Sequence, residues 1–205
     1  MIYLYRQPEP GEFCVIGADP AEGGDNSAFA VLSKKNSDLI MLGKSQEESS
    51  QLGYTLNSVG KWLKSKTKKT PCIGVERNTG VATIFVLKQL NYPFIYRRMK
   101  SFTEKVDEVT DDYGWWTNQQ TRPKMLDDLK LAVRQKLLTI PSKLVIEEMF
   151  TFIRNKRTGR PEADSNSHDD LIFALAIAWQ LYQVIEPLVT DQEEVPKNDF
   201  TNWSI

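Results

Sequence analysis

The chain has 205 residues, 40% apolar and 26% charged, with a formal net charge of −1 at pH 7. This suits a globular domain with a full core and room for a tail. It makes no global electrostatic case for nucleic acid, so any phosphate contact must come from local clusters. No apolar run reaches membrane-spanning length, and no charged-then-apolar leader opens the sequence, which argues against secretion.

Residues 1–12 (MIYLYRQPEPGE) read as a linker entering a domain. Residues 15–18 (VIGA), 27–32 (SAFAVL) and 39–43 (LIMLG) read as three strands separated by polar turns, hence consecutive and antiparallel. Leu52, Leu56, Val59 and Leu63 recur at helical spacing, and a lysine-rich turn ends that helix. Residues 72–76 (CIGVE) form the next strand. Val81, Ile84, Leu87 and Leu90 mark a second helix, stopped by Asn91 and Pro93. Residues 94–96 make a short fifth strand. Pro123 opens a helix carrying Leu126, Leu129, Val133 and Leu137, and residues 144–154 read as helical too. After a turn-rich loop, HDDLIFALAIAWQLY is an apolar helix entered through Asp169 and Asp170. Residues 187–205 are acidic, hold two prolines and lack a period, as expected of a flexible or partner-binding tail. The order predicts an α/β domain over residues 1–186: a mixed sheet of about five main strands, the first three antiparallel, with helices on both faces.

Three acidic positions draw the eye. Asp19 ends the first strand, Glu76 ends the fourth, and Asp169 and Asp170 open the last helix. If the fourth strand lies beside the first, Asp19 and Glu76 emerge at one edge about 5 Å apart. Clustered carboxylates repel, and divalent cations remove that cost. The two cysteines, Cys14 and Cys72, lie in apolar runs and read as buried thiols. With a single histidine, His168, oxygen ligands dominate and favour Mg²⁺ or Mn²⁺ over zinc. Two such ions about 4 Å apart suit attack of water on a phosphodiester. Each acid also has a plainer reading: Asp19 and Asp25 as turn residues, Asp169 as a helix cap. There is no P-loop motif.

Four pieces, GADPAEGGDNSAFAVL, IGVERNTGVATI, YGWWTNQQTRPKMLDDL and SHDDLIFALAIAW, span residues 17–179 in order. Together they resemble the C-terminal nuclease domain of the large terminase subunit of tailed bacteriophages. The resemblance implies a ribonuclease H-like fold, with Asp19, Glu76 and Asp169 as metal-binding acids and Asp170 and Asp25 as the nearest additional candidates. It implies an endonuclease of low sequence specificity that cuts concatemeric double-stranded viral DNA in the cytoplasm of an infected bacterium. The implied partners are a terminase ATPase domain, a small terminase subunit and a portal. The family's packaging ATPase is not in this sequence, so either an excised domain or a shorter stand-alone nuclease is expected, and the linker-like residues 1–12 favour the first.

DNA contact is expected first from Arg154, Lys156, Arg157 and Arg160, beside the last helix in sequence, because arginine suits phosphate. Arg97 and Arg98 come next. His168 reads either as an accessory group positioning water or phosphate, or as a cap. The alternative enzyme is another ribonuclease H-like nuclease, a junction resolvase or a transposase-type enzyme. Strand parity predicts Cys14 and Cys72 on opposite sheet faces, unable to pair.

Overall fold

The computed structural model describes residues 1–21, 26–99, 109–154, 161–163 and 169–188. Strands β1 (Ile2–Leu4), β2 (Cys14–Asp19), β3 (Ser27–Ser33) and β4 (Asp38–Ser45) precede helix α1 (Ser49–Thr67). Strand β5 (Cys72–Val75) and helix α2 (Val81–Gln89) follow, then β6 (Arg97–Met99) and β7 (Val109–Tyr113). Helices α3 (Thr121–Arg134) and α4 (Lys143–Thr151), strands β8 (Phe152–Arg154) and β9 (Pro161–Ala163), and helix α5 (Asp170–Val184) complete the order.

The main sheet runs β1-β4-β3-β2-β5. β2, β3 and β4 are consecutive antiparallel neighbours, and β5 joins β2 in parallel after the α1 crossover. Both faces of the sheet are covered, which is why β2 and β3 read as continuous apolar runs rather than alternating ones. Cys14, Ile16, Ala18, Ile73 and Val75 pack under α1 and α2, where Leu52, Leu56, Val59 and Leu63 form the predicted stripe. Val15, Ala28, Ala30, Leu32 and Cys72 face the opposite layer, built on α5 with Met125, Leu126 and Leu129 of α3. The cysteines therefore lie on opposite faces, both as free thiols.

Helix α5 is buried almost all round from Leu171 to Leu181, as its uniformly apolar sequence requires. It lies directly on β2 because position 17 is glycine. A Cβ there would collide with the Ala174 carbonyl and the Ala178 backbone. With residues 174 and 178 seated over Gly17, the start of α5 reaches Asp19, which shares a cavity with Asp169 and Asp170.

Several sequence expectations change. The segment read as a linker contributes an edge strand, since Ile2–Leu4 pairs with Gly43, Leu42 and Met41 of β4. Behind it, Arg6 holds Asp38 (2.6 and 2.7 Å) and Glu12 (2.5 Å), and Glu12 also accepts hydrogen bonds from Ser33 and the Glu9 N–H. This ion-paired knot, which the sequence does not announce, fastens the segment to the core. Residues 94–96 do not form a full strand: Ile95 makes only an isolated parallel bridge to Ile73. Beyond them, β7 pairs antiparallel with β6. The helix expected over 144–154 stops at Thr151, and Phe152–Arg154 pairs antiparallel with Pro161–Ala163. Among the described residues, no helix is long and apolar enough to cross a membrane.

Candidate active site

β2 and β5 run in register, with Val15 opposite Cys72 and Ala18 opposite Val75. The next pair in that register is Asp19 and Glu76. The Glu76 N–H continues the ladder by donating to the Ala18 carbonyl at 2.8 Å. Both side chains lie on the α5 face, so two adjacent strands each deliver a carboxylate to the helix start. Asp169 stands in the cap position of α5 without a side-chain cap bond, and Asp170 is the first helical residue. All four acids line one cavity of about 720 Å³, with Asn26, Asn78, Thr79, Thr117, Asn118 and Arg122 among its other walls.

Each acid is held differently. Glu76, 6% exposed, accepts from the Asn78 amide at 2.8 Å, from the Thr79 N–H at 2.9 Å and from the Thr79 hydroxyl at 3.1 Å. The sequence ERNT thus folds as a turn around its own glutamate. Asp170 accepts from the Asn26 amide at 3.3 Å and sits 3.4 Å from the Lys44 ammonium. Lys44 also pairs with Glu148 at 2.7 Å, and the other Glu148 oxygen accepts the Leu171 N–H at 3.0 Å. Glu148 therefore caps α5 from α4, filling the role the Asp169 side chain leaves open. Asp169 faces Arg122 at 3.8 Å.

Burial pushes the Asp19 carboxyl well above the usual carboxylate range, and Glu76, Asp170 and Asp169 add repulsion in that order; Arg122 offsets part of it. Burial also raises Glu148, against the pull of Lys44. Among the described residues, no three acidic, histidine or cysteine side chains converge as a ready-made metal cage. The carboxylates share a cavity and are engaged by amides, a lysine and an arginine. Fit to a hard divalent cation rests on the donor set: the cavity walls offer carboxylate, amide and hydroxyl groups, with no thiol and no imidazole among the described residues.

The structure thus brings together Asp19, Glu76, Asp169 and Asp170. Asp25 and His168 lie outside the described residues, as do Lys156, Arg157, Arg160 and the tail beyond residue 188. Arg154 ends β8. Arg97 and Arg98 are exposed on β6 and do not line the cavity; Arg97 lies over the Tyr113 ring at 4.5 Å. Sequence reasoning missed Lys44, Glu148, Asn78 and Arg122. Only Asn78 carried a local signal, two residues after the strand-ending glutamate.

A mixed sheet with helices on both faces and acids at the ends of two adjacent strands is a ribonuclease H-like architecture. More closely, the fold is that of terminase nuclease domains. The large terminase nuclease of thermophilic phage G20c with bound magnesium matches with a TM-score of 0.65 at 18% identity, over 90% of this chain and 88% of that one. The large terminase nuclease domain of Thermus phage P74-26 matches with 0.63 at 17%, over 90% and 87%. The manganese-soaked, inhibitor-bound terminase nuclease domain of human cytomegalovirus matches with 0.50 at 14%, over 83% of each chain. At such identities the likeness is one of fold. No protein-family model and no curated protein sequence matches the chain.

Proposed function

We propose that this chain is a metal-dependent endodeoxyribonuclease, the nuclease domain of a terminase that cuts concatemeric double-stranded DNA during viral genome packaging. The observation that carries the reading is the register of β2 and β5, which sets Asp19 beside Glu76 in a cavity shared with Asp169 and Asp170. The fold likeness adds support, because its members are terminase nucleases, one with magnesium bound and another soaked in manganese.

Asp19, Glu76 and Asp169, with Asp170 beside them, are the residues that hold Mg²⁺ or Mn²⁺ in this reading. Two ions, when bound, activate a water and stabilise the leaving oxygen of a phosphodiester. The protein's part is orientation. Asn78 and Thr79 fix the Glu76 carboxylate, and Asn26 and Lys44 fix Asp170. Such preorganisation matters because a ligand misplaced by about 1 Å costs on the order of 10²-fold in rate. Arg154, Lys156, Arg157 and Arg160, and Arg97 and Arg98 on β6, are the proposed backbone contacts, reading phosphate and not sequence. The ATPase domain, small subunit and portal of a packaging motor are the proposed partners, in the cytoplasm of an infected bacterium.

The test is cleavage of linear duplex DNA by the purified protein. Products are expected with Mg²⁺ or Mn²⁺ and none in excess EDTA. Cutting that persists in chelator would overturn metal dependence, and a strong preference for four-way junctions would point to a resolvase instead.

A further inference from the structure

We infer that Arg122, with the neighbouring Thr117 hydroxyl, anchors a non-bridging oxygen of the DNA phosphodiester inside the acidic cavity. The inference rests on the nuclease reading and deepens it by naming a substrate contact.

Arg122 is the one cationic side chain lining the cavity among the described residues. It is the second residue of α3, and helical side chains lean back toward the helix start. That tilt carries the guanidinium over the beginning of α5, where it rests 4.5 Å from the centre of the Phe173 ring. Phe173 lies one turn after Asp169, so the same face of α5 presents an aromatic platform and a carboxylate to one arginine. The platform fixes the plane of the guanidinium. Asp169 meets it in an ion pair of 3.8 Å between Nη2 and Oδ2. A planar cation steered this way, with its fork at a cavity wall, suits two parallel bonds to phosphate oxygens.

A second observation points the same way. Thr117 lines the cavity, and its Oγ1 is buried with no hydrogen-bond partner among the described residues. Buried hydroxyls are normally paired, so an orphan on a cavity-lining residue points to a group that binds beside it. Its backbone is pinned, because the Thr117 carbonyl accepts from Asn78 at 2.7 Å, the same amide that holds Glu76. The turn leading into α3 is equally rigid: Asn118 Oδ1 accepts the Gln120 and Thr121 N–H groups at 2.8 Å each, and the Thr121 hydroxyl donates to the Trp116 carbonyl at 2.6 Å. The wall is built before DNA arrives. It offers donors to the anion while the opposite charge in the cavity, the four carboxylates, is left to the cations.

The rival role for Arg122 is simple charge compensation of Asp169 and Asp19. The full chain and its Arg122→Gln, Arg122→Lys and Thr117→Val variants separate the two. Duplex binding is measured against salt in Ca²⁺, and single-turnover cleavage in Mg²⁺. Arg122→Gln is expected to flatten the log–log salt slope by ~0.9, the value for one phosphate no longer neutralised, and to slow cleavage on the order of 10²-fold. Arg122→Lys is expected to restore the slope but not the rate, because it lacks the fork. Thr117→Val is expected to weaken binding with no loss of thermal stability, since it removes an unpaired hydroxyl. Wild-type salt slope and affinity in Arg122→Gln would overturn the anchor, even if metal affinity or stability changed. Should that variant not fold, wild-type rate and slope in Arg122→Lys together with wild-type binding in Thr117→Val would overturn it. Failure of the wild-type chain to cleave would instead sink the nuclease reading.

Discussion

Acids bracket β2, and they are treated in opposite ways. Glu12, just before the strand, is 1% exposed and is met by Arg6, the Ser33 hydroxyl and the Glu9 N–H. Burial alone would raise its carboxyl, but those partners outweigh burial and hold it below the usual range. Asp19, at the other end, is raised by burial and by three other carboxylates. Glu12 is buried, while Asp19 is half-buried at the cavity. One is compensated within the chain and reads as a fastener. The other is left in excess negative charge, which marks a site that gains from cations supplied from outside.

Neutralising the two acids separately gives the largest expected effects. Asp19→Asn is expected to lower metal-dependent cleavage by on the order of 10³-fold while the protein stays folded. If the folded variant cuts like wild type, the site is misassigned. Glu12→Gln is expected to do the reverse: it leaves Arg6 short of a partner in the knot and costs about 3 kcal/mol. Urea unfolding reads that loss, and cleavage per folded molecule should not change. Equal loss of activity in both variants would erase the distinction.

Acid titration sharpens it further. The lowered carboxyl of Glu12 contributes stability that is complete above its ordinary value of 4.5 and fades as pH falls through its folded value. The raised carboxyl of Asp19 acts in the other sense. Relative to strong acid it costs stability as pH climbs from its ordinary value of 3.8 through its folded value. Without metal at neutral pH, Asp19→Asn should therefore melt above wild type, and the gap should close below about pH 3.8. Added Mg²⁺ should raise the wild-type melting temperature and leave the variant nearly unmoved. A variant that melts below wild type at neutral pH would show that Asp19 is compensated after all.

A smaller effect is expected where the two treatments meet. Lys44 touches Asp170 of the acidic cavity but compensates Glu148, the cap of α5. Glu148→Ala should cost about 1 kcal/mol, the worth of a lost helix cap, and should weaken cleavage far less than Asp19→Asn. The smallest effect is expected at the cysteines. Both thiols should titrate as free in denaturant under non-reducing conditions, and a chain mass two hydrogens short would contradict their placement on opposite faces of the sheet.

Much of this was legible from residues alone, where the cause is local. Period and turn chemistry placed β2, β3, β4, α1, β5, α2 and α5, because each buries a face whose spacing is written in neighbouring positions. The adjacency of Asp19 and Glu76 followed from a single inference, that the strand after the first helix returns beside β2. The short hairpins and the edge strand were less legible. The β6–β7 and β8–β9 pairs and the edge strand at Ile2–Leu4 owe their pairing to partners elsewhere in the fold, and their own sequences carry too few positions to show a period.

By itself, then, the sequence determined which acids stand at strand and helix ends, since a carboxylate closing an apolar run is visible in one dimension. Tertiary structure decided what answers each of them. Lys44, Arg122 and Glu148 come from β4, α3 and α4, and Asn26 meets Asp170 across 144 residues of chain. No local pattern encodes such a meeting, because Coulomb and hydrogen-bond energies depend on separation in space. That separation exists only once Gly17 has let α5 settle onto β2.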